Sequence, residues 1–180
     1  MFAERGFQAA TVEDLCAAAG FSRGAFYSNF GSKDELFLAL WDEQADRIVA
    51  TVAALHAGVI DGSVTPETAL DLLTSHELYD RQWFVVNAEF LLHALRTPAV
   101  AEQLAAHRVR LRTGIGDVLA AVLAAQGKRL PDGIDLETCT RMLIAGYEGA
   151  QNQTRVEPGA PDPFRATVAL LITGCPPIEG

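Results

Sequence analysis

Positive charge is scarce in this sequence. Its 180 residues hold 14 lysines and arginines against 23 acidic residues, a formal charge of −9 at pH 7. That balance excludes recognition of a polyanion through a broad basic surface, so any nucleic acid must be met by a few placed groups. Cysteine is scarce too. Cys16, Cys139 and Cys175 are odd in number and lack metal-ligand spacing, which points to reduced thiols in the cytoplasm. No basic start leads into an apolar block, so no secretion signal is expected. No run of about 20 apolar residues is present to cross a membrane. The densest stretch, Trp83 to Leu95, is broken by Asn87, Glu89 and His93. The expectation is a soluble, cytoplasmic chain with no membrane partner.

Catalytic machinery is missing as well. His56, His76, His93 and His107 have no metal spacing among themselves or with the cysteines. His76-Glu77 has no second histidine at the distance a zinc protease needs. No nucleophile elbow, phosphate loop or dinucleotide fingerprint occurs. The chain is therefore expected to be no enzyme, with no cofactor and no metal.

What is abundant is apolar helix. Hydrophobic residues make up 49% of the chain, enough for a real core, and no alternating β-branched run reads as a strand. Breakers and caps divide the chain into helices. Thr11 caps a short one whose Val12, Leu15, Cys16 and Ala19 share a face, and Gly20 ends it. Ser22 caps the next, over about 23–29, with Phe21 and Phe26 placed as a hydrophobic staple. Ser32-Lys33-Asp34-Glu35 is a capping box opening a long helix to about Leu55, and 58–64 reads as a loop. Thr65-Pro66 starts another helix. Further helices are expected over about 81–96, 99–126, 135–154 and 164–174. The fold class is all-α: short elements first, then a bundle of longer helices.

Five aromatic residues lie between Phe21 and Phe37, interleaved with glycine, serine, arginine and lysine. Phe21, Phe26 and Phe30 are expected to turn inward. Arg23, Gly24, Tyr27 and Ser28 then face outward, small and donor-rich. Two short helices joined at Gly20 have the size of a helix-turn-helix. Arg23 can reach a guanine edge or a phosphate, hydroxyls of Tyr27 and Ser28 suit phosphate oxygens, and Lys33 beside a helix start makes a further phosphate site. On chemistry alone, a solvated face remains the commoner role for Arg23, Tyr27 and Lys33.

The segment from Phe2 to Leu40 resembles the DNA-binding domain of the tetracycline-repressor (TetR) family. The matching parts are Gly6-Phe7, Thr11-Val12, Ala18-Ala19-Gly20-Phe21-Ser22, Phe26-Tyr27-Ser28-Asn29-Phe30 and Ser32-Lys33-Asp34-Glu35-Leu36. The resemblance implies a homodimeric transcriptional regulator, usually a repressor, that reads a palindromic double-stranded DNA operator. Its DNA contacts fall here on Thr11, Ser22, Arg23, Gly24, Tyr27, Ser28 and Lys33. The resemblance also implies that only the end of the family's first helix is represented before Gly6. It divides the chain into a helix-turn-helix domain, 1–46, and a ligand-binding and dimerisation domain, 47–180.

One feature runs against the family pattern. Residues 1–46 carry three basic and eight acidic side chains, a balance of −5, so weak non-specific binding is expected. In the larger domain, the 81–96 stretch is apolar nearly all round, which places it centrally. The resemblance implies a small-molecule effector pocket, with Trp83, Asn87, Phe90 and His93 as candidates, joined by Tyr147 and Gln151. Against that, Glu89 and His93 are four apart and can simply pair, and buried aromatics are ordinarily core. Arg108, Arg110 and Arg112 read mainly as solvated surface, with a salt bridge to the helix-turn-helix domain as the alternative. Leu136, Cys139, Leu143, Gly146 and Ala150 make an apolar stripe widened by Met142, Ile144, Ala145 and Gly149. Phe164, Val168, Leu171 and Ile172 make another. The resemblance assigns the last two helices, about 135–174, to a homodimer interface, and a monomer core is the competing reading. For the whole chain, the alternative is a dimeric small-molecule-binding module with impaired or lost DNA binding.

Overall fold

The structure, a computed structural model, describes residues 1–74, 80–157 and 159–177, with the backbone alone at 172 and 173. His76 and Glu77 lie outside the described residues, as does the side chain of Ile172. Among the described residues are nine helices: α1 (Phe2–Arg5), α2 (Val12–Ala19), α3 (Arg23–Tyr27), α4 (Lys33–Asp61), α5 (Pro66–Thr74), α6 (Arg81–Arg96), α7 (Pro98–Ala125), α8 (Leu136–Val156) and α9 (Pro163–Gly174). The one β feature among them is an isolated bridge between Lys128 and Pro177. No described helix is long and apolar enough to cross a membrane. Cys16, Cys139 and Cys175 are buried free thiols, and the described residues contain no cluster of metal-ligating side chains.

Local chemistry accounts for most boundaries. Asp80 accepts from Trp83 N at 2.7 Å to start α6, and Asp135 accepts from Thr138 N at 2.7 Å to start α8. A proline opens α5, α7 and α9, where its missing N–H costs nothing. The long α4 departs from the sequence expectation. It continues through Gly58 to Asp61, where a loop was expected. The stop falls instead at Gly62, whose φ of 80° is the left-handed conformation that ends a helix, while a Cβ at Gly58 would lie 2.7 Å from Val64 Cγ2. The bare glycine stays helical and lets the following turn fold back, with Val64 N–H reaching Gly58 O at 3.0 Å.

The chain forms two compact units. One joins residues 1–46 with 76–110, the other 47–75 with 111–180. A division at 46/47 therefore falls inside α4, and α6 shares a unit with the N-terminal helices. The first unit is built on rings. Phe7, Phe37 and Phe90 are fully buried. Phe90 meets Phe7 edge-on at 4.9 Å and stacks on Phe37 at 4.2 Å, and Phe37 stacks on Trp83 at 5.5 Å. Such pairs add to what burial alone contributes. In the second unit α8 packs on α9, and α9 also meets α5. Arg165 of α9 bonds Asp71 of α5, and Arg112, read from sequence as surface, is largely buried against Glu137.

Candidate functional site

The α2–turn–α3 segment is held by local hydrogen bonds. Thr11 forms a reciprocal capping box with Asp14: its Oγ1 accepts from Asp14 N at 3.1 Å, while Asp14 Oδ2 accepts from Thr11 N at 3.2 Å and Oγ1 at 2.8 Å. These bonds, above all that from the Thr11 hydroxyl, hold the Asp14 carboxyl below its ordinary range, with help from Arg5 at 2.6 Å. Gly20 closes α2 in the left-handed conformation, φ 71°, which a side chain would strain. Phe21 N–H then returns to Cys16 O at 3.0 Å, completing a six-to-one closure. Ser22 Oγ accepts from Ala25 N at 3.1 Å and opens α3.

This closure overturns one expectation. Phe21 does not turn inward: it is 68% exposed. Its backbone is committed to closing α2, and the side chain projects away from the helix pair. Phe26 alone takes the buried position, against Phe30 at 5.7 Å and Tyr27 at 5.2 Å.

The outer face of α3 carries Arg23, Gly24, Tyr27 and Ser28, all exposed. The Arg23 guanidinium lies 5.9 Å from the Tyr27 ring centroid. Its Nη1 sits 2.5 Å from Glu13 Oε1 on α2. A Cβ at Gly24 would meet nothing nearer than Ser22 Oγ at 3.7 Å, so the chain's own packing does not demand glycine there. Ser28 donates to Ala25 O at 2.9 Å and keeps acceptor capacity.

Lys33 has a different task in the free chain. Its Nζ donates to Phe7 O at 2.6 Å, Ala10 O at 2.9 Å and Gln8 O at 3.3 Å, and lies 4.5 Å from the Phe7 ring centroid. All three ammonium donors are used on the segment leading into α2. Burial pushes the Lys33 pKa down, opposed by Asp34. The capping box expected at Ser32 is half present. Ser32 Oγ accepts from Glu35 N at 3.1 Å, but the Glu35 carboxylate takes Gly31 N–H at 2.7 Å.

The effector candidates are divided between the two units. Four lie on α6, engaged with the first unit. Phe90 is 0% exposed among Phe7 and Phe37, and Trp83 stacks on Phe37. Asn87 Oδ1 accepts from Trp41 Nε1 at 3.2 Å, and His93 Nε2 bonds Asp34 Oδ1 at 3.1 Å. The expected Glu89–His93 pair is absent, because Glu89 instead accepts Phe7 N–H. Both side chains find partners on other elements that spacing within α6 does not reveal. Tyr147 and Gln151 belong to the second unit. Tyr147 packs edge-on against Phe164 at 5.2 Å, and burial pushes its hydroxyl up to about 12. Gln151 is 1% exposed; its Oε1 accepts from Arg155 Nη2 at 3.0 Å, and its Nε2 has no hydrogen-bond partner among the described residues.

Sequence reasoning missed Glu13, Asp34 and Glu89 as partners of Arg23, His93 and Phe7. Glu13 and Arg23 are ten residues apart on different helices, so only the helix-turn-helix geometry brings them together. No sequence signal marks the other two pairs.

Residues 1–40 match the family described as bacterial regulatory proteins, tetR family. Over 162 residues the chain is 34% identical to an HTH-type transcriptional repressor of Mycobacterium tuberculosis, covering 79% of this chain and 82% of that one. It is 41% identical over 88 residues to the HTH-type transcriptional repressor AcnR of Corynebacterium efficiens, covering 49% of this chain and 42% of the relative. The match thus spans less than half the length of that repressor. The crystal structure of a putative TetR-family transcriptional regulator from Rhodococcus sp. shares the fold, with a TM-score of 0.70 at 20% identity over 96% of this chain and 90% of that one.

Proposed function

The chain belongs to the TetR family of bacterial regulatory proteins, and on that premise we propose that it is a transcriptional repressor. It acts as a cytoplasmic homodimer that binds a palindromic operator and releases it when a small molecule is bound. The family consists of DNA-binding regulators rather than enzymes. Residues 1–46 are the reading domain and 47–180 the effector and dimerisation domain in this proposal.

The observation that carries the proposal is the outer face of α3. Arg23, Tyr27 and Ser28 stand exposed around Gly24, where no packing inside the chain requires a glycine. A bare position flanked by donors suits close approach to a groove. Arg23 is assigned to a base edge. Thr11, Ser22, Tyr27 and Ser28 are assigned to the sugar–phosphate backbone, and Lys33 to a neighbouring phosphate, for which its ammonium gives up one of the three carbonyls it holds in the free chain.

On α8, Met142, Gly149 and Val156 recur at seven-residue spacing and share one face. The two side chains are exposed, and a Cβ at Gly149 would meet nothing within 4 Å. This favours α8 and α9 as the surface a second copy covers. Effector contacts are proposed within each unit by itself: at Trp83, Asn87, Phe90 and His93 in the first, and at Tyr147 and Gln151 in the second. The buried Gln151 amide, with a donor left over, is the strongest support for a polar ligand group.

A second reading, a dimeric ligand-binding module with impaired DNA binding, is favoured by one fact. The acid excess of residues 1–46 is joined by the pairing of Arg23 with Glu13. Fluorescence anisotropy against DNA from upstream of the chain's own gene separates the two. The repressor reading expects binding that weakens with salt and competes poorly with random DNA. Arg23→Ala is expected to lose roughly 1–3 kcal/mol of that preference, and Tyr27→Ala to weaken binding with less effect on sequence choice. Equal affinity of the parent and both variants for that DNA overturns the reading.

A further inference from the structure

Arg23 is the only basic side chain between residues 6 and 32, and it does not stand alone. Its Nη1 is ion-paired with Glu13 Oε1 at 2.5 Å, and its guanidinium lies 5.9 Å from the Tyr27 ring centroid. Asp14, the other acid of that segment, is bonded to Arg5. The pair therefore leaves α2 and α3 with no net positive charge. A carboxylate beside the one basic residue of a DNA-reading face opposes phosphate binding, which makes its presence there informative.

We infer that Glu13 is a positioning residue that sets the specificity of Arg23. The inference rests on the DNA-reading assignment of α3. The pair engages Nη1, and the other edge of the guanidinium, Nε with Nη2, makes no bond among the described residues. That edge is a planar two-donor fork, the shape that matches the O6 and N7 acceptors of guanine. Glu13 and the Tyr27 ring restrict the side chain from two sides, so the fork is presented with fewer rotamers to lose. The same carboxylate cancels the charge that would attach Arg23 to any phosphate. Both consequences act in one direction: binding to the right base is favoured by orientation, and binding to arbitrary DNA is disfavoured by charge. Mere competition for Arg23 has another signature, since removing a competitor strengthens both kinds of binding. A purely structural tie between α2 and α3 has a third, since its loss weakens both.

The test uses the full chain, a duplex enriched by it from a random-sequence pool, and a shuffled duplex of the same composition. Affinities are read by fluorescence anisotropy at several salt concentrations. Glu13→Gln is expected to tighten binding to the shuffled duplex by about threefold, the size of one charge acting across several ångströms of water. Its salt dependence should steepen by about one phosphate per reading head. Binding to the enriched duplex should weaken by about threefold, so that the ratio of the two affinities falls by about tenfold. Arg23→Lys keeps the charge and can keep the ion pair but loses the fork. It should lower the ratio as far while leaving the salt slope at the parent value. Both side chains are exposed, so both variants should unfold at the parent's temperature. If Glu13→Gln shifts both duplexes in the same direction by the same factor, the inference is overturned and the DNA-reading assignment stands. A parent that shows no preference for its enriched duplex overturns both.

Discussion

Two regions of the first unit are held together by different means. The reading segment, Thr11 to Ser28, buries only Cys16 and Phe26. Its shape comes from hydrogen bonds over a few residues: Thr11 with Asp14, Ser22 with Ala25, Phe21 with Cys16. The region behind it, where Phe7 and Phe37 meet α6, is joined almost wholly by contacts far apart in the chain. Phe7 reaches Phe90 and Glu89, Asp34 reaches His93, and Trp41 reaches Asn87. A surface that must stay exposed cannot draw on burial, so capping fixes it. The core behind it is stiffened by rings and polar groups that satisfy one another.

The largest effect expected from breaking this contrast is at Phe90, fully buried among Phe7 and Phe37. Phe90→Ala should cost about 3–5 kcal/mol in chemical denaturation and lower the midpoint of the whole first unit. Gly6 stands at the seam between the regions. Its φ is 80° and its ψ 160°, and a Cβ would lie 2.7 Å from Glu89 Oε2. Gly6→Ala should cost about 1–3 kcal/mol, with hydrogen exchange rising first at the Phe7 amide that Glu89 holds. The smallest effect belongs to the reading segment. Thr11→Ala should cost about 1 kcal/mol, and faster exchange should be confined to the first turn of α2. The same cap gives a pH signature. The folded Asp14 carboxyl titrates below its ordinary value of 3.8. Its contribution is therefore present above that pH and lost as pH falls through the folded value. An NMR titration of the Asp14 side chain should show the depressed value in the parent and a higher one in Thr11→Ala.

The contrast also decides what could be read in advance. Caps and breakers act within three or four residues, so Thr11, Gly20 and Ser22 announced the start and stop of α2 and the start of α3. Where two nearby glycines could each have ended a helix, the sequence reading stopped at the wrong one: α4 passes through Gly58 and ends before Gly62, which takes the positive φ. Phe21 looked like a core residue by type, but the closure of α2 fixes its backbone and turns its side chain outward. The candidate site divides along the same line. Arg23, Gly24, Tyr27 and Ser28 were legible as one outward face of a short helix. That Arg23 is held by Glu13, and that the Lys33 ammonium is engaged by three carbonyls, was not.

The helical class, the order of the short and long helices, the caps of the reading segment and the polar face of α3 all follow from residues near one another in the chain. Periodicity and capping are properties of a few neighbouring residues, and those are written in order along the chain. Long-range packing places α6 in one unit with residues 1–46 and turns Glu89 and His93 to Phe7 and Asp34 instead of to each other. It also placed Glu13 beside the one arginine of the reading face. Those choices belong to groups separated by ten to more than eighty residues. Which of several equally charged partners wins depends on the distance and burial that the packed core imposes.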